Sequence, residues 1–315
     1  MIKYLLDPVI LFFLIGLIAG IVRSELRIPE AIYEILSIYL LLVIGLKGGV
    51  QLASANISSI LLPVFGSIML GVIIPLIAYP ILRRFGKFRR PDAAAIAAHY
   101  GSVSAVTYAI VLTYLENAGV TYEAYTTVLL VLLEIPAIAV GILIARLRAS
   151  KGPIVYSKLM HEVFLGKSIY LLLAGLVVGF FLGPSGTESV RMVLIDPFKG
   201  ILAFFILEMG LVVSRRLNEL RKVGVFLIFF GIGMPVLSGM LGTVVGWCVG
   251  LSVGGTTVLA VLAGSASYIA APAAMRVALP EANPTFYLTA ALVITFPFNL
   301  LIGIPLYHWM ATIIH

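Results

Sequence analysis

The sequence predicts an all-α polytopic membrane protein with ten transmembrane helices arranged as two inverted five-helix repeats. Three observations lead to this prediction: an apolar composition, an alternation of basic and non-basic loops, and four landmarks, which are short glycine, serine or proline features that each occur twice in the chain. Of the 315 residues, 61 % are hydrophobic and 11 % are charged. A soluble globular domain has about 45–50 % apolar and about 25 % charged residues. The composition therefore excludes an ordinary soluble enzyme, a disordered chain and a DNA-binding module.

The apolar residues form long continuous runs, such as 129–144 and 226–249. A membrane-spanning helix needs about 20 apolar residues, whereas a membrane β-barrel shows alternating segments of about ten residues. The runs therefore favour helices. The predicted spans, numbered 1 to 10, are Pro8–Val22, Pro29–Leu46, Ile57–Leu82, Pro91–Leu115, Glu123–Ala145, Lys167–Leu182, Pro197–Val213, Val223–Val249, Gly254–Ala278 and Pro284–Ile314.

The basic residues lie mainly on one side of the predicted membrane. Of the 21 Lys and Arg, 17 fall in the loops after spans 1, 3, 5 and 7 or near the end of span 9. Only Lys3, Lys47, Arg191 and Lys199 fall on the other side. Since basic loops stay in the cytoplasm, we expect a multi-pass inner (plasma) membrane protein with both termini outside. The net charge of +7 then indicates contact with membrane lipid and no nucleic-acid partner.

Four landmarks recur in order at offsets of 160 to 165 residues. They predict a first repeat over residues 1–150 and a second over 151–315, and because five is odd the second copy enters from the opposite side. Such inverted repeats serve alternating access around a midplane site, although duplication can also be only how a large fold arose. The pairs are Gly45 with Gly210, Pro75 with Pro235, Gly101–Ala105 with Gly264–Tyr268, and Pro136 with Pro297.

Spans 4 and 9 are predicted to be broken, at the stretches 101–107 and 264–268, the second of which is followed by Pro272. Glycine and proline weaken a helix, and a break within lipid requires a buried polar cavity. A half-helix that begins there turns free N–H groups and its positive dipole end toward a small anion. Hydroxyl groups add donors for that anion or acceptors for sodium. The alternative is close helix packing by small residues.

Two sets of site residues follow from these breaks and from ionisable or polar residues at membrane depth. Glu134, beside Pro136, could bind sodium, carry a proton, or be a structural glutamic acid that bonds to neighbouring backbone. The predicted substrate-binding residues are Gly101, Ser102, Ser104, Thr107, Gly264, Ser265, Ser267 and Tyr268. The predicted sodium ligands are Glu134, Ser104, Thr107, Ser267 and Asn299.

Three further polar residues have competing interpretations. Glu208 is either functional or part of a structural pair with the basic residues near Arg216. His99 is interpreted as a hydrogen-bonded structural histidine, and Asp92, which follows Pro91 at a helix start, as a helix cap that interacts with the helix dipole. The sequence contains no catalytic or metal-binding motif and one cysteine, Cys248, so we expect no catalytic residue, no cofactor and no enzymatic activity.

Short motifs along nearly the whole chain resemble those of the SbtA-type sodium-dependent bicarbonate transporters. The motifs that carry the resemblance are Arg27–Ile32, Ile44–Gly49, Val103-Ser104 with Thr107, Tyr122–Ala124, Ile135-Pro136, Glu219–Val223 and Leu279–Pro284. The resemblance implies sodium-driven uptake of bicarbonate at the two broken helices. It also implies a core domain moving against a gate domain, each drawn from both repeats, usually in a homotrimer. In cyanobacterial members it implies a PII-like regulatory protein on the cytoplasmic side.

The chain departs from that family pattern at the proposed site. Tyr268 stands where an aspartate is usual, Ala266 and Ala270 replace serines, Glu134 replaces an aspartate, and Val212 replaces a glutamate. The loop between spans 5 and 6 is also shorter, which weakens the expectation of a PII-like partner.

Three functions remain open at this point. The first is a sodium-coupled transporter of a small anion, with bicarbonate as the expected substrate. The second is a proton-coupled carrier of another small anion or monocarboxylate, in which Glu134 carries the proton. The third is a non-transporting sensor or scaffold whose basic loops at 83–90 and 215–222 bind a soluble partner or anionic lipid.

Overall fold

The computed structural model describes residues 6–54, 59–146 and 165–315. Within these ranges the regular structure is helical, without strands. Twelve helices are α1 Pro8–Ile21, α2 Glu30–Ala53, α3 Leu61–Arg84, α4 Arg90–Gly101, α5 Ala105–Ala118, α6 Thr126–Arg146, α7 Lys167–Val190, α8 Phe198–Arg216, α9 Leu220–Cys248, α10 Val253–Ala263, α11 Ala270–Ala278 and α12 Pro284–Ile314.

Each predicted span overlaps one of these helices or a broken pair of them. The largest differences are in α2, which continues to Ala53 rather than ending at Leu46, and in α7, which continues to Val190 rather than ending at Leu182. In α7 the chain bends at Gly183, whose φ of 60° lies in the left-handed region. The predicted start of span 3 at Ile57 and the basic residues Arg148, Lys151 and Lys158 lie outside the described residues.

The helix α12 is continuous but contains two π-helical segments, Thr289–Thr295 and Asn299–Gly303. Each segment lies just before a proline, Pro297 or Pro305. Proline lacks the N–H that an α-helix needs, and a π segment lets the preceding carbonyls find other donors. The side chains of α12 therefore do not follow a uniform 3.6-residue period.

Six helical stretches within the described ranges are long and apolar enough to cross a membrane. Large apolar side chains such as Phe181 (82 % exposed) and Leu61 (69 % exposed) face outward, which suits a lipid environment. The chain is therefore an integral membrane protein, and the number of its crossings stays a prediction. The six stretches are Glu30–Ala53, Leu61–Arg84, Arg90–Ala118, Thr126–Ile144, Lys167–Cys248 and Pro284–Ile314.

The helices pack as two bundles. A four-helix bundle contains α1, α2, α7 and α8, in which α2 packs along α7 and α1 packs along α8. An eight-helix bundle contains the other helices, with α3 and α9 packed against α4 and α10, respectively. The two broken spans lie in the eight-helix bundle, and α2 and α8 of the four-helix bundle face them across a seam.

Glycine pairs hold the four-helix bundle together. A Cβ atom placed on Gly45 would lie 2.3 Å from the Leu172 carbonyl oxygen, and one on Gly175 would lie 2.3 Å from the Leu42 carbonyl oxygen. The α1–α8 contact is built in the same way from Gly16 and Gly210. Helices in lipid associate through such close backbone approach, because lipid provides no hydrophobic driving force between them.

Candidate functional site

Both predicted helix breaks are present, and they lie side by side. The chain between α4 and α5 is extended at Ser102, and the chain between α10 and α11 leaves helical geometry after Gly264. The Ser104 amide donates a hydrogen bond to Ser265 Oγ at 3.0 Å, and the Ser267 amide donates to the His99 carbonyl at 2.9 Å. These bonds satisfy backbone groups that the breaks leave without helical partners.

Serines at corresponding places of the two breaks accept hydrogen bonds from the half-helices that follow them. Ser104 is the N-cap of α5, whereas Ser267 lies two residues before Ile269, the N-cap of α11. Ser104 Oγ accepts hydrogen bonds from the Thr107 amide at 3.1 Å and from the Thr107 hydroxyl at 2.9 Å. Ser267 Oγ accepts one from the Ala271 amide at 3.1 Å. A hydroxyl that accepts in this way still has its own hydrogen to donate. Both serines therefore keep a donor for a ligand.

A small cavity of about 10 Å³, the central pocket, lies where the breaks meet. Its polar lining includes Ser104, Glu134, Ser168, Ser267 and Tyr268. A volume of this size corresponds to about one water molecule. A larger ligand such as a four-atom oxyanion therefore needs the pocket to widen.

Glu134 supplies the only carboxylate among the residues that line the central pocket. Its side chain is buried on α6, and Ser102 Oγ donates a long hydrogen bond of 3.4 Å to its Oε1 atom. A buried carboxylate needs a cation, a proton or several hydrogen-bond donors. The described contacts provide one weak donor, so Glu134 is suited to bind a cation or a proton.

A large cavity of about 680 Å³ lies between the two bundles and ends at the second break. Tyr33 and Glu208 line it from the four-helix bundle, and Tyr268 and Pro272 line it from the eight-helix bundle. Its charged lining residues are Lys167, Arg215, Arg216, Arg276, Glu30, Glu34 and Glu208. With four basic and three acidic side chains, the cavity is polar and slightly positive, which admits water and small anions.

Tyr268 separates the large cavity from the central pocket, because it lines both of them. Its ring packs edge-on against Phe296 at a centroid distance of 5.5 Å. Its hydroxyl lies beside Ser104 but is buried without a well-aligned hydrogen bond to any described residue. The ring therefore lies, together with Ile269, between the two cavities, and its hydroxyl adds a donor to those of the three serines in the pocket.

We expect Tyr268→Ala to open the central pocket to the large cavity. The measurement is the alkylation rate of Ser267→Cys, with the single native cysteine replaced in Cys248→Ser, using a small membrane-impermeant reagent. Tyr268→Ala should raise this rate several-fold, whereas Tyr268→Phe should leave it unchanged because the ring remains. An unchanged rate in Tyr268→Ala would show that the ring is not the barrier.

The structure brings some of the predicted site residues together and separates others. Ser104, Glu134, Ser267 and Tyr268 share the central pocket, while Ser102, Ser265 and Thr107 bond to its residues. Gly101 and Gly264 instead allow close packing against Pro75 and the Pro235 carbonyl, respectively. Asn299 does not line the pocket: its amide donates to the Gly264 carbonyl at 2.8 Å, and its oxygen accepts from Tyr307.

The residues with competing interpretations have defined partners. Glu208 pairs with Arg215 at 3.4 Å, and no ion pair with Arg216 is formed. His99 Nδ1 lies 2.6 Å from the Ala95 carbonyl oxygen, and its ring stacks on Tyr287, which fits the structural interpretation.

Asp92 pairs with Arg89 at 3.0 Å and accepts a hydrogen bond from the Asn283 amide at 2.8 Å. The cap interpretation of Asp92 is wrong, because the N-cap of α4 is Arg89 and Asp92 lies in the first turn of the helix, where it joins the two sequence halves.

Two residues of this region carried no functional signal in the sequence. Ser168 lines the central pocket from the start of α7. Glu123 accepts a hydrogen bond from the Ser252 amide at 2.6 Å and so places a carboxylate at the beginning of α10. Both contacts join residues that are far apart in the chain, and only Glu123 belongs to a motif that marked the family resemblance.

A comparison with protein families finds one that matches almost the whole chain. The model of the Na+-dependent bicarbonate transporter superfamily matches residues 8–312, which confirms the resemblance seen in the short motifs. A search of curated proteins finds no match.

Proposed function

The chain belongs to the Na+-dependent bicarbonate transporter superfamily, and from this premise we propose that it is a secondary active transporter of a small anion, bicarbonate, driven by sodium. One observation carries the proposal for the site: two helix breaks contact each other through the Ser104–Ser265 and Ser267–His99 hydrogen bonds, at the inner end of a cavity between two bundles.

The chemistry of the central pocket supports coupling of an anion to a cation. Four hydroxyls, those of Ser104, Ser168, Ser267 and Tyr268, line the pocket and can donate hydrogen bonds to a bicarbonate oxygen. The Glu134 carboxylate in the same small pocket repels that anion, so the two are compatible only when a cation lies between them. Sodium bound to Glu134 and to serine oxygens would thus be required for the anion to bind. This requirement would couple the transport of the anion to that of sodium.

Alternating access would arise from motion of the eight-helix bundle, the core domain, against the four-helix bundle, the gate domain. The glycine contacts of the four-helix bundle favour a rigid gate, and the cross-break hydrogen bonds favour a core that moves as one body in an elevator-like step. With the large cavity on the side of Arg215 and Arg276, this conformation corresponds to one open to the cytoplasm.

The inverted repeat, the ten crossings and the external termini are also part of the proposal. Corresponding contacts support the repeat: Gly16 faces Gly210 as Gly175 faces Gly45, and Pro75 packs on Gly101 as Pro235 packs on Gly264. By family resemblance we further propose an inner-membrane homotrimer and a PII-like regulatory partner at the cytoplasmic side.

Uptake of labelled bicarbonate into proteoliposomes tests the proposed function. We expect uptake when an inward sodium gradient is imposed, and none when sodium is replaced by potassium on both sides. Protein-free liposomes are the control. Equal uptake with and without sodium would show that transport is not coupled to sodium. No uptake under either condition would show that bicarbonate is not the substrate.

A proton-coupled carrier is the second candidate, and the observation that favours it is the environment of Glu134. This carboxylate has one long hydrogen bond, and the aspartate of the family pattern is replaced by Tyr268. The same liposomes distinguish the two candidates. With an acidic exterior, an alkaline lumen and no sodium, uptake above that of protein-free liposomes is expected only in the proton-coupled case, since the protein-free liposomes account for diffusion of the neutral acid or CO2.

A further inference from the structure

The helix α2 lines the seam between the bundles over its whole length. Its side chains meet the large cavity at Tyr33 and Ser37, the central pocket at Leu41, and a further pocket at Ile44, Lys47 and Gln51. Successive positions in this series are three or four residues apart, so they lie on one face of the helix. Lys47 is about nine ångströms beyond Leu41 along the helix axis, on the face of the protein opposite the large cavity.

The pocket around Lys47, here the Lys47 pocket, measures about 20 Å³ and has a surplus of positive charge. It contains two ammonium groups, of Lys47 and Lys199, and one carboxylate, of Glu116. Glu116 pairs with Lys199 at 3.1 Å, whereas Lys47 forms no salt bridge with any described residue. The Lys47 ammonium instead lies 4.9 Å from the centre of the Phe198 ring. Lys47 therefore shares its nearest counter-charge, Glu116, with a second ammonium group, and this surplus of positive charge attracts an anion.

The Lys199–Glu116 pair closes this pocket across the seam. Lys199 belongs to the four-helix bundle and Glu116 to the eight-helix bundle, so any separation of the bundles on this face breaks the pair. The neighbouring hydrogen bond from Asn117 Nδ2 to Asp7 Oδ2, at 2.9 Å, crosses the seam in the same way. Opening would therefore leave two ammonium groups facing the pocket, where they can donate to one oxyanion.

We propose that Lys47, assisted by Lys199, forms a recruiting site for a small monovalent oxyanion on the face opposite the large cavity, and that the Lys199–Glu116 pair is the gate over it. The anion binds there first and then passes along α2 to the central pocket. The proposal rests on the proposed transport function for its physiological role, but the binding site can be tested without transport.

Protection of an introduced cysteine tests anion binding directly. Gln51→Cys lies in the Lys47 pocket, and its alkylation by a neutral reagent is measured in the Cys248→Ser protein with and without bicarbonate, formate or nitrate. At least one anion should slow the reaction when Lys47 is present, and Lys47→Met should abolish this protection. Each rate is compared with that of the same variant without anion, because the substitution itself changes thiol reactivity. No protection by any anion, or equal protection in Lys47→Met, would overturn the site.

Kinetics in proteoliposomes give the second measurement. Lys47→Met should raise the KM for bicarbonate about tenfold, the effect of losing one charge-assisted hydrogen bond, with a smaller change in maximal rate. Lys47→Arg should restore most of the loss, which also excludes a folding defect, and the exposed Lys222→Met is the matched control. An unchanged KM in Lys47→Met would refute a role in uptake. Lys47-dependent protection in a protein that transports no bicarbonate would retain the site and reject the proposed substrate.

Discussion

Replacing Glu134 with glutamine is expected to abolish cation-driven uptake. The Coulomb attraction between a carboxylate and a cation about 4 Å apart is about 4 kcal/mol at an effective dielectric constant of about 20, which corresponds to about a thousandfold in affinity. Allowing for compensating contacts, we expect the apparent affinity for sodium to fall at least about 100-fold. The measurement is the sodium dependence of bicarbonate uptake in proteoliposomes.

Glutamine is chosen because it should disturb the fold around position 134 only slightly. A glutamine side-chain oxygen can still accept the Ser102 hydrogen bond that Glu134 now accepts at 3.4 Å, so packing at the break is preserved. The exposed Glu25→Gln is the matched control, since it removes one carboxylate that lines neither the large cavity nor the central pocket. Full sodium-dependent uptake by Glu134→Gln would assign Glu134 a structural role and show that its carboxylate does not bind the coupling cation.

Replacing Gly175 with alanine is expected to destabilise the four-helix bundle strongly. The added Cβ atom would lie 2.3 Å from the Leu42 carbonyl oxygen and 2.9 Å from the Leu46 nitrogen, and backbone atoms of a packed helix cannot move aside without separating the helices. Overpacking of this kind lowers the free energy of unfolding by about 1–3 kcal/mol, and we expect the upper end. The measurement is the thermal unfolding of the purified protein in detergent.

Gly233→Ala is the control, and its expected effect on stability has the opposite sign. Gly233 lies within α9, is exposed, and has no neighbouring atom within 4 Å of an added Cβ. Alanine has a higher helix propensity than glycine by about 1 kcal/mol, so Gly233→Ala should be neutral or stabilising. Equal melting temperatures for the two variants would show that the α2–α7 backbone contact contributes little.

The helix breaks were predictable because their causes are local. Glycine and serine at 101–104 and 264–267, followed in the second case by Pro272, weaken the helix within a few residues. The contact between the two breaks, in contrast, could not be predicted from the local sequence. The Ser104–Ser265 hydrogen bond joins residues 161 positions apart, and its existence depends on how the bundles pack.

The surroundings of Asn299 could not be deduced from the chain alone. The sequence predicts a sodium ligand at Asn299, but in the structure its amide donates to the Gly264 carbonyl while its oxygen accepts from Tyr307, so it does not line the central pocket. Gly45 and Gly210 likewise were recognisable as repeated landmarks, but the helix that each contacts could not be deduced from the chain alone.

The hydrogen bonds that join the two breaks also bear on biosynthesis. The Ser104 amide emerges from the ribosome and enters the bilayer well before Ser265, the side chain that accepts its hydrogen bond, has been made. During that interval the interrupted fourth span has polar backbone groups that lipid cannot satisfy. The nascent first half therefore needs water or the insertion machinery at this point, and the contact between the breaks forms only after the segment that carries Ser265 has been inserted.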